Sequence, residues 1–261
     1  MTPSDAGRFV AITHVPSPNM QRGERTFVPE TEVDYELALR QHASYRAALG
    51  RCGANVIVLD VNRTMPDCVF VEDTALVLDE VAVMMSPGAE SRRAEPAGIE
   101  PTLRHFREIR RIKRPATIDG GDIVVAGKSV YVGESPRTNA EGIQALREQL
   151  TPFGYSVTSV PVRECLHLKT ACSALPDGRF LVNANWIDAS PLPATLCVSV
   201  PDDEPWAGDV LIIGRRIIVS DVFPGALSLL DGLGFETIPV PVSEFAKVEG
   251  GVTCLSLVFR P

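Results

Sequence analysis

Four times along this chain, two short apolar runs flank a polar or glycine-bearing turn, and this recurrence constrains the fold more than any other feature. TALVLDEVAVMM (74–85) turns at Asp79-Glu80 and DIVVAGKSVYVGES (122–135) at Gly127-Lys128. ACSALPDGRFLVNAN (171–185) turns at Asp177-Gly178 and DVLIIGRRIIVSD (209–221) at Gly214-Arg215. Apolar runs around such turn residues mark β-hairpins. Segments with helical spacing follow, each leading to another apolar strand. Ser91–Arg111 leads to ATI (116–118), Ala140–Leu150 to SVTSVPV, and Ala226–Leu233 to FETIPVPV. Near the start, a helix over Asp34–Leu49 leads to NVIVLDV. The turns lie about 48, 51 and 36 residues apart, and a unit repeating every 40–50 residues or so predicts a propeller or array. Five ββαβ units around one axis use the whole chain, with CLSLVFR (254–260) pairing with FVAITH (9–14) to close the ring. The alternative is an irregular α+β domain.

At 261 residues the chain is long enough to bury a full core in one domain spanning 1–261. Its apolar fraction of 45% and charged fraction of 22% exclude a disordered chain, a collagen and a coiled coil. The net charge of −8, from 25 basic and 33 acidic residues, argues against nucleic acid as a partner. No run of about 18 apolar residues predicts a membrane span. The start, MTPSDAGRFVAITH, lacks the basic and apolar regions of a signal peptide. Six widely spaced cysteines form neither a CxxC pair nor a zinc-ligand pattern. Reduced thiols and a cytoplasmic location are expected. The Pro-rich pieces 16–29 and 191–205 read as surface loops. The first, containing GERTF, is either a lid or an ordinary loop.

Chemistry of any kind needs a nucleophile, an acid–base group and an orienting group brought together. Of four histidines, His42 reads as structural and His105, in an Arg-rich stretch, as solvated; His14 goes either way. His167, between leucines in ECLHLKTACS, is either structural or catalytic. Cys254 follows Gly250-Gly251 in GGVTCLSL; it is either an exposed nucleophile or a buried cysteine of the last strand. Asp119, before Gly120-Gly121, either orients a histidine or caps a turn. Glu72 and Asp73, in PDCVFVEDTA with Asp67, point to opposite faces if they lie on a strand. At least one is then inward and needs a cation or donors, and a guanidinium fits a carboxylate; the alternative is a strand-end pair facing water. Arg92 and Arg137 each follow a hairpin at equivalent repeat positions. They form a clamp for a carboxylate, or are two surface charges.

PDCVFVEDTA, PGAESRRAE, DGGDI, GESPRTNAEG, LHLKT and GGVTCLSL, in this order from about residue 34 onward, resemble the dimethylarginine dimethylaminohydrolase family. That family belongs to the guanidine-modifying superfamily, with arginine deiminases and amidinotransferases. The resemblance implies a five-bladed α/β propeller, in agreement with the repeat count. It implies Cys254 as nucleophile, His167 as general acid–base and Asp119 as its acidic partner. It implies that Asp73 and Glu72 bind the guanidinium, Asp67 the α-amino group, Arg92 and Arg137 the α-carboxylate, and that the backbone at Val248 faces the substrate. Where the family often has Arg before the Pro-Gly of the second hairpin, Ser86 stands here. The lid, Asn19–Glu30, is expected to contact the amino-acid end of the substrate.

The resemblance further implies hydrolysis of N-methylated arginines to citrulline and an amine through a covalent thiouronium, without metal or organic cofactor. A small-molecule substrate is the expected partner, and a homodimer is open to it. The rivals are arginine deiminase-like hydrolysis or amidino transfer on the same fold, and a non-catalytic ligand-binding propeller.

Overall fold

The computed structural model describes residues 9–261; the reading of residues 1–8 at the start of the chain lies outside them. β1 (Phe9–His14) and β2 (Ala54–Leu59) run parallel in full register, joined by α1 (Tyr35–Arg51). Asp34 caps α1 by accepting the Leu37 N–H at 2.9 Å, and satisfying such an N-terminal donor is what starts a helix here. The buried face of α1, Ala38, Gln41, His42, Tyr45, Ala48 and Leu49, follows the three-and-four spacing of an amphipathic helix.

The next four units share one plan. β3 (Ala75–Val77) is antiparallel to β4 (Val81–Met84), which is parallel to β5 (Glu108–Arg111) after α2 (Glu95–Leu103). β6 (Ile123–Ala126), β7 (Ser129–Glu134) and β8 (Ser156–Pro161) repeat this with α3 (Ala140–Leu150). The short α4 (Leu168–Ala171) leads into β9 (Cys172–Ala174), β10 (Phe180–Val182) and β11 (Cys197–Ser199). β12 (Leu211–Ile213), β13 (Arg216–Ser220) and β14 (Glu236–Val240) take α5 (Pro224–Gly232), and α6 (Ser243–Ala246) follows. β15 (Leu257–Phe259) returns antiparallel to β1 and completes the first sheet as β15-β1-β2. Gly127 and Gly214 turn their hairpins at φ 61° and 65°, a region where a Cβ is costly.

The innermost strand of every sheet lines one cavity of about 250 Å³, through Leu76, Val124, Ser173, Ile212 and Val258. Five three-stranded sheets thus surround a common centre, as the five-bladed α/β propeller reading requires. No helix among the described residues is long and apolar enough to cross a membrane.

Two units depart from the expected pattern. The helix expected over Ser91–Arg111 ends at Leu103, and the outer strand is β5, not ATI, whose Ile118 makes a single bridge to Ser86. EIRR passes as helical because it is charged. An outer strand needs only one apolar face, and Ile109 packs on the cluster holding Ile99 and Leu103. In the fourth unit no α-helix joins β10 to β11. A 3-10 turn, Ala194–Leu196, stands in its place, and the stretch 191–205 read as loop contains β11. Pro191 and Pro193 deny a helix its backbone donors.

Candidate active site

Cys254 stands just ahead of β15, on a segment forced into close contact with its surroundings. A Cβ on Gly250 would strike the Phe70 ring, and one on Gly251 the Asp209 carboxylate. The Gly251 N–H donates to Cys254 Sγ at 3.4 Å. Tyr45 of α1 fixes both sides of the segment, its hydroxyl lying 2.8 Å from the Val252 carbonyl and 2.7 Å from Ser256 Oγ. Cys254 is half-buried. Its desolvated setting and the carboxylates of Asp209, Glu72 and Asp73 push the thiol well up from its ordinary range.

Glu72 and Asp73 lie on a 3-10 turn, Val71–Thr74, and not on a strand. The tighter turn brings both inward instead of to opposite faces, and both are buried. Glu72 Oε1 meets Lys169 Nζ at 2.6 Å and Oε2 accepts from Thr253 Oγ1 at 2.8 Å. Burial raises Glu72, and Lys169 opposes the rise. Burial acts on Asp73 too, but His167, Arg92 and the Gly121 N–H outweigh it and hold the carboxyl below its ordinary value.

His167 precedes α4 and is 4% exposed. Its Nε2 lies 3.1 Å from Asp119 Oδ2, and its Nδ1 3.9 Å from Asp73 Oδ1. Burial works against the charged ring, but Asp73, Asp122 and Asp119 overcome it and raise His167 to about 9. Asp119 is fixed in turn: its Oδ1 accepts the Gly88 N–H at 2.9 Å and its own N–H donates to Thr138 Oγ1. Its carboxylate thus faces a histidine ring and makes no hydrogen bond that caps the 3-10 turn after it. Gly121 is required beside them, since a Cβ there would lie 2.6 Å from His167 Nδ1. The ligand atoms of Asp73, Asp119 and His167 lie within 4.8 Å of one another, a spacing a cation could share. Each already has a protein partner.

The two arginines differ. Arg92 gives Nη1 to Asp73, Nε and Nη2 to Glu95, and Nη2 also to the Phe70 carbonyl. Arg137 is equally buried, yet its Nη1 has no hydrogen-bond partner among the described residues and lies 3.8 Å from Asp119 Oδ2. A buried, unpaired guanidinium nitrogen is costly unless an anion completes it. Asp67 accepts the Glu24 N–H at 3.2 Å to each oxygen. The lid then crosses to the segment before Cys254. Arg25 Nε donates to the Lys247 carbonyl next to Val248, and the N–H groups of Thr26, Phe27 and Val28 all donate to the Glu249 carboxylate. Glu249 itself sits at φ 59°.

These distances bring Cys254, His167, Asp119, Glu72, Asp73, Arg92 and Arg137 to one centre, with Asp67 and Val248 under the lid. The model of the family described as eukaryotic N,N dimethylarginine dimethylhydrolase matches residues 19–184. The chain is 41% identical to a dimethylarginine dimethylaminohydrolase of Streptomyces coelicolor over 96% of each chain. It is 36% identical to the Pseudomonas aeruginosa enzyme, over 87% of this chain and 90% of the relative.

The chain belongs to the dimethylarginine dimethylaminohydrolase family.

Among solved structures, a cysteine-to-serine variant of the Pseudomonas aeruginosa family member in complex with citrulline superposes with a TM-score of 0.91 at 34% identity, covering 95% of this chain and 98% of that one. The N-terminal domain of a cyanobacterial arginine dihydrolase shares the fold, with a TM-score of 0.84 at 18% identity, covering 96% and 97%. Outside the centre of this family member, His14 is tied to Asn62 and Val15, His42 is buried and pushed down to about 3 by desolvation, and His105 is exposed beyond the end of α2. Burial pushes Cys52 up to about 11 and Cys68 and Cys165 to about 12, as befits inert thiols. Sequence reasoning missed Asp122, Lys169, Thr253, Asp209 and Glu249. Asp122 accepts the Leu168 N–H next to His167, together with the hydroxyls of Ser135 and Thr138. It and Lys169 stood within quoted motifs, whereas nothing around Asp209 in the sequence sets it apart.

Proposed function

We propose that this chain is a cysteine hydrolase of N-methylated arginines, releasing dimethylamine or methylamine and L-citrulline, with residues 1–261 acting as one catalytic domain. The observation that carries the reading is the His167–Asp119 pair facing Asp73 in the same buried centre as Cys254, in a chain of this family. Asp73, with Glu72, binds the guanidinium, Asp67 the α-amino group, and Arg137 with Arg92 the α-carboxylate, while the Val248 backbone faces the substrate. The substrate's positive charge offsets the carboxylates around Cys254, so its thiol loses a proton to solvent once substrate is bound. The thiolate adds to the guanidinium carbon. His167, charged at neutral pH and held through Nε2 by Asp119, gives its Nδ1 proton to the departing nitrogen. The carbon–nitrogen bond breaks, the amine leaves, and an S-alkylthiouronium remains. Neutral His167 then takes a proton from water, the hydroxide adds to the same carbon, and collapse, with the hydroxyl proton passing to solvent, expels the Cys254 thiolate and citrulline. Neither metal nor organic cofactor takes part. Reduced thiols fit a cytoplasmic location, and a homodimer is compatible with the reading.

The test is Cys254→Ser, which should abolish citrulline formation with the fold intact, and acid-quenched mass spectrometry, which should find an adduct on the Cys254 peptide. An adduct on Cys165 or Cys172 overturns the assignment. Incubation with asymmetric dimethylarginine, monomethylarginine and arginine identifies the amine. Arginine as the better substrate, with ammonia released, would make the chain a deiminase.

A further inference from the structure

A second cavity, of about 480 Å³, lies beside the nucleophile segment. Gly251 and Asp209 are part of its lining. Gly251 N–H points at Cys254 Sγ, and Asp209 Oδ1 accepts the Thr253 N–H at 3.0 Å. Three aromatic residues share the lining: Phe27 from the lid, Trp206 and Phe223. Phe27 and Val222, 36% and 56% exposed, mark the rim, and Asp209, 8% exposed, marks the inner end. No basic side chain among the described residues lines it, and the other acid there, Glu249, is held by three lid amides. Aromatic faces attract cations through their quadrupoles, apolar walls favour methyl groups, and a carboxylate neutralises the charge. That combination selects a small methylated ammonium ion.

We infer that this cavity binds methylated ammonium ions, and that the amine product occupies it on leaving the guanidinium carbon. The identity of the amine rests on the hydrolase reading above: dimethylamine leaves with the proton from His167 and takes a second from water, becoming dimethylammonium. Burial and the neighbouring Glu72 push Asp209 up to about 7, so an arriving cation favours its charged form.

Trp206 makes an edge-to-face contact with Trp186, ring centroids 4.8 Å apart, and these are the two tryptophans of the chain. Intrinsic fluorescence therefore reports on the cavity. The full chain, without substrate, is titrated with dimethylammonium chloride, ammonium chloride and sodium chloride at matched ionic strength. A saturable change is expected with dimethylammonium, about tenfold weaker with ammonium for want of two methyl groups, and absent with sodium. Asp209→Asn should weaken binding about tenfold. Val222→Lys, on the exposed rim, places a second cation there and should weaken it about three- to tenfold without disturbing the fold. No saturable change, equal changes with all three salts, or a change unaltered by both substitutions overturns the proposal. Citrulline is not measured, so failure here leaves the hydrolase reading standing, and a chain that makes no citrulline can still bind the cation.

Discussion

Cys254 keeps its sulfur among three carboxylates, and that neighbourhood decides when it reacts. Desolvation and the fields of Asp209, Glu72 and Asp73 all favour the thiol over the thiolate, so the free protein should be alkylated slowly at neutral pH. The rate of iodoacetamide labelling at Cys254 should rise with a midpoint above pH 9, and Asp209→Asn should lower that midpoint; a midpoint below 7 in the unaltered protein would contradict this setting. The two arginines share the α-carboxylate, and Arg92 has a second, structural job. Arg92 also pairs with Asp73 and Glu95, so Arg92→Ala strips both buried acids of that cation and should cost about 3–5 kcal/mol of stability in denaturant titration. Arg137 holds a spare donor, so Arg137→Ala should cost about 1.5–3 kcal/mol in kcat/KM for substrates bearing an α-carboxylate, and agmatine, which lacks one, should be a poor substrate. Equal stability losses in the two variants would refute that second job.

At the level of elements, the lid is held by one residue. Three successive amides converge on the Glu249 carboxylate, and Glu249 occupies the left-handed region at φ 59°, which costs about 1 kcal/mol or more for a residue with a side chain. Glu249→Gln removes the charge and keeps the shape. It should speed hydrogen exchange at Thr26, Phe27 and Val28 by about ten- to a hundredfold, since charge-assisted bonds contribute about 1.5–3 kcal/mol each, and raise KM more than it lowers kcat. Unchanged exchange at those three amides would show that the lid is held elsewhere. The hairpins were legible in the sequence because their turns need particular residues, as at Gly127 and Gly214. β5 and β11 were not, because an outer strand with one wet face carries charges or prolines without penalty. Within the site, Cys254, His167 and Asp119 sat in motifs whose glycines announce close approach. Glu72 and Asp73 were found, but their shared inward direction depends on a 3-10 turn that no period reveals. Asp209 could be placed only by the fold, since it meets Thr253 across 44 residues of chain.

Across the whole molecule, the same buried charges set how stability follows pH. His167 is raised from 6.5 to about 9, so its contribution is complete below 6.5 and fades as pH climbs through 9. Asp209 and Glu95 are raised to about 7 from 3.8 and 4.5, so their ionisation also lowers stability as pH rises. Asp73 acts in the opposite sense, but only below its usual 3.8. The Tm should therefore fall between pH 6 and pH 9, and calorimetry showing a rise over that range would contradict these assignments. The ring itself adds a temporal condition. β15 closes it against β1, and Cys254 lies three residues before β15. A ribosome makes that strand after the fourteen others among the described residues, so a growing chain holds His167, Asp119, Glu72 and Asp73 long before it holds the Cys254 sulfur. Chains that stop early, or are clipped ahead of Gly250, carry those side chains but never that sulfur, and translation delivers it last.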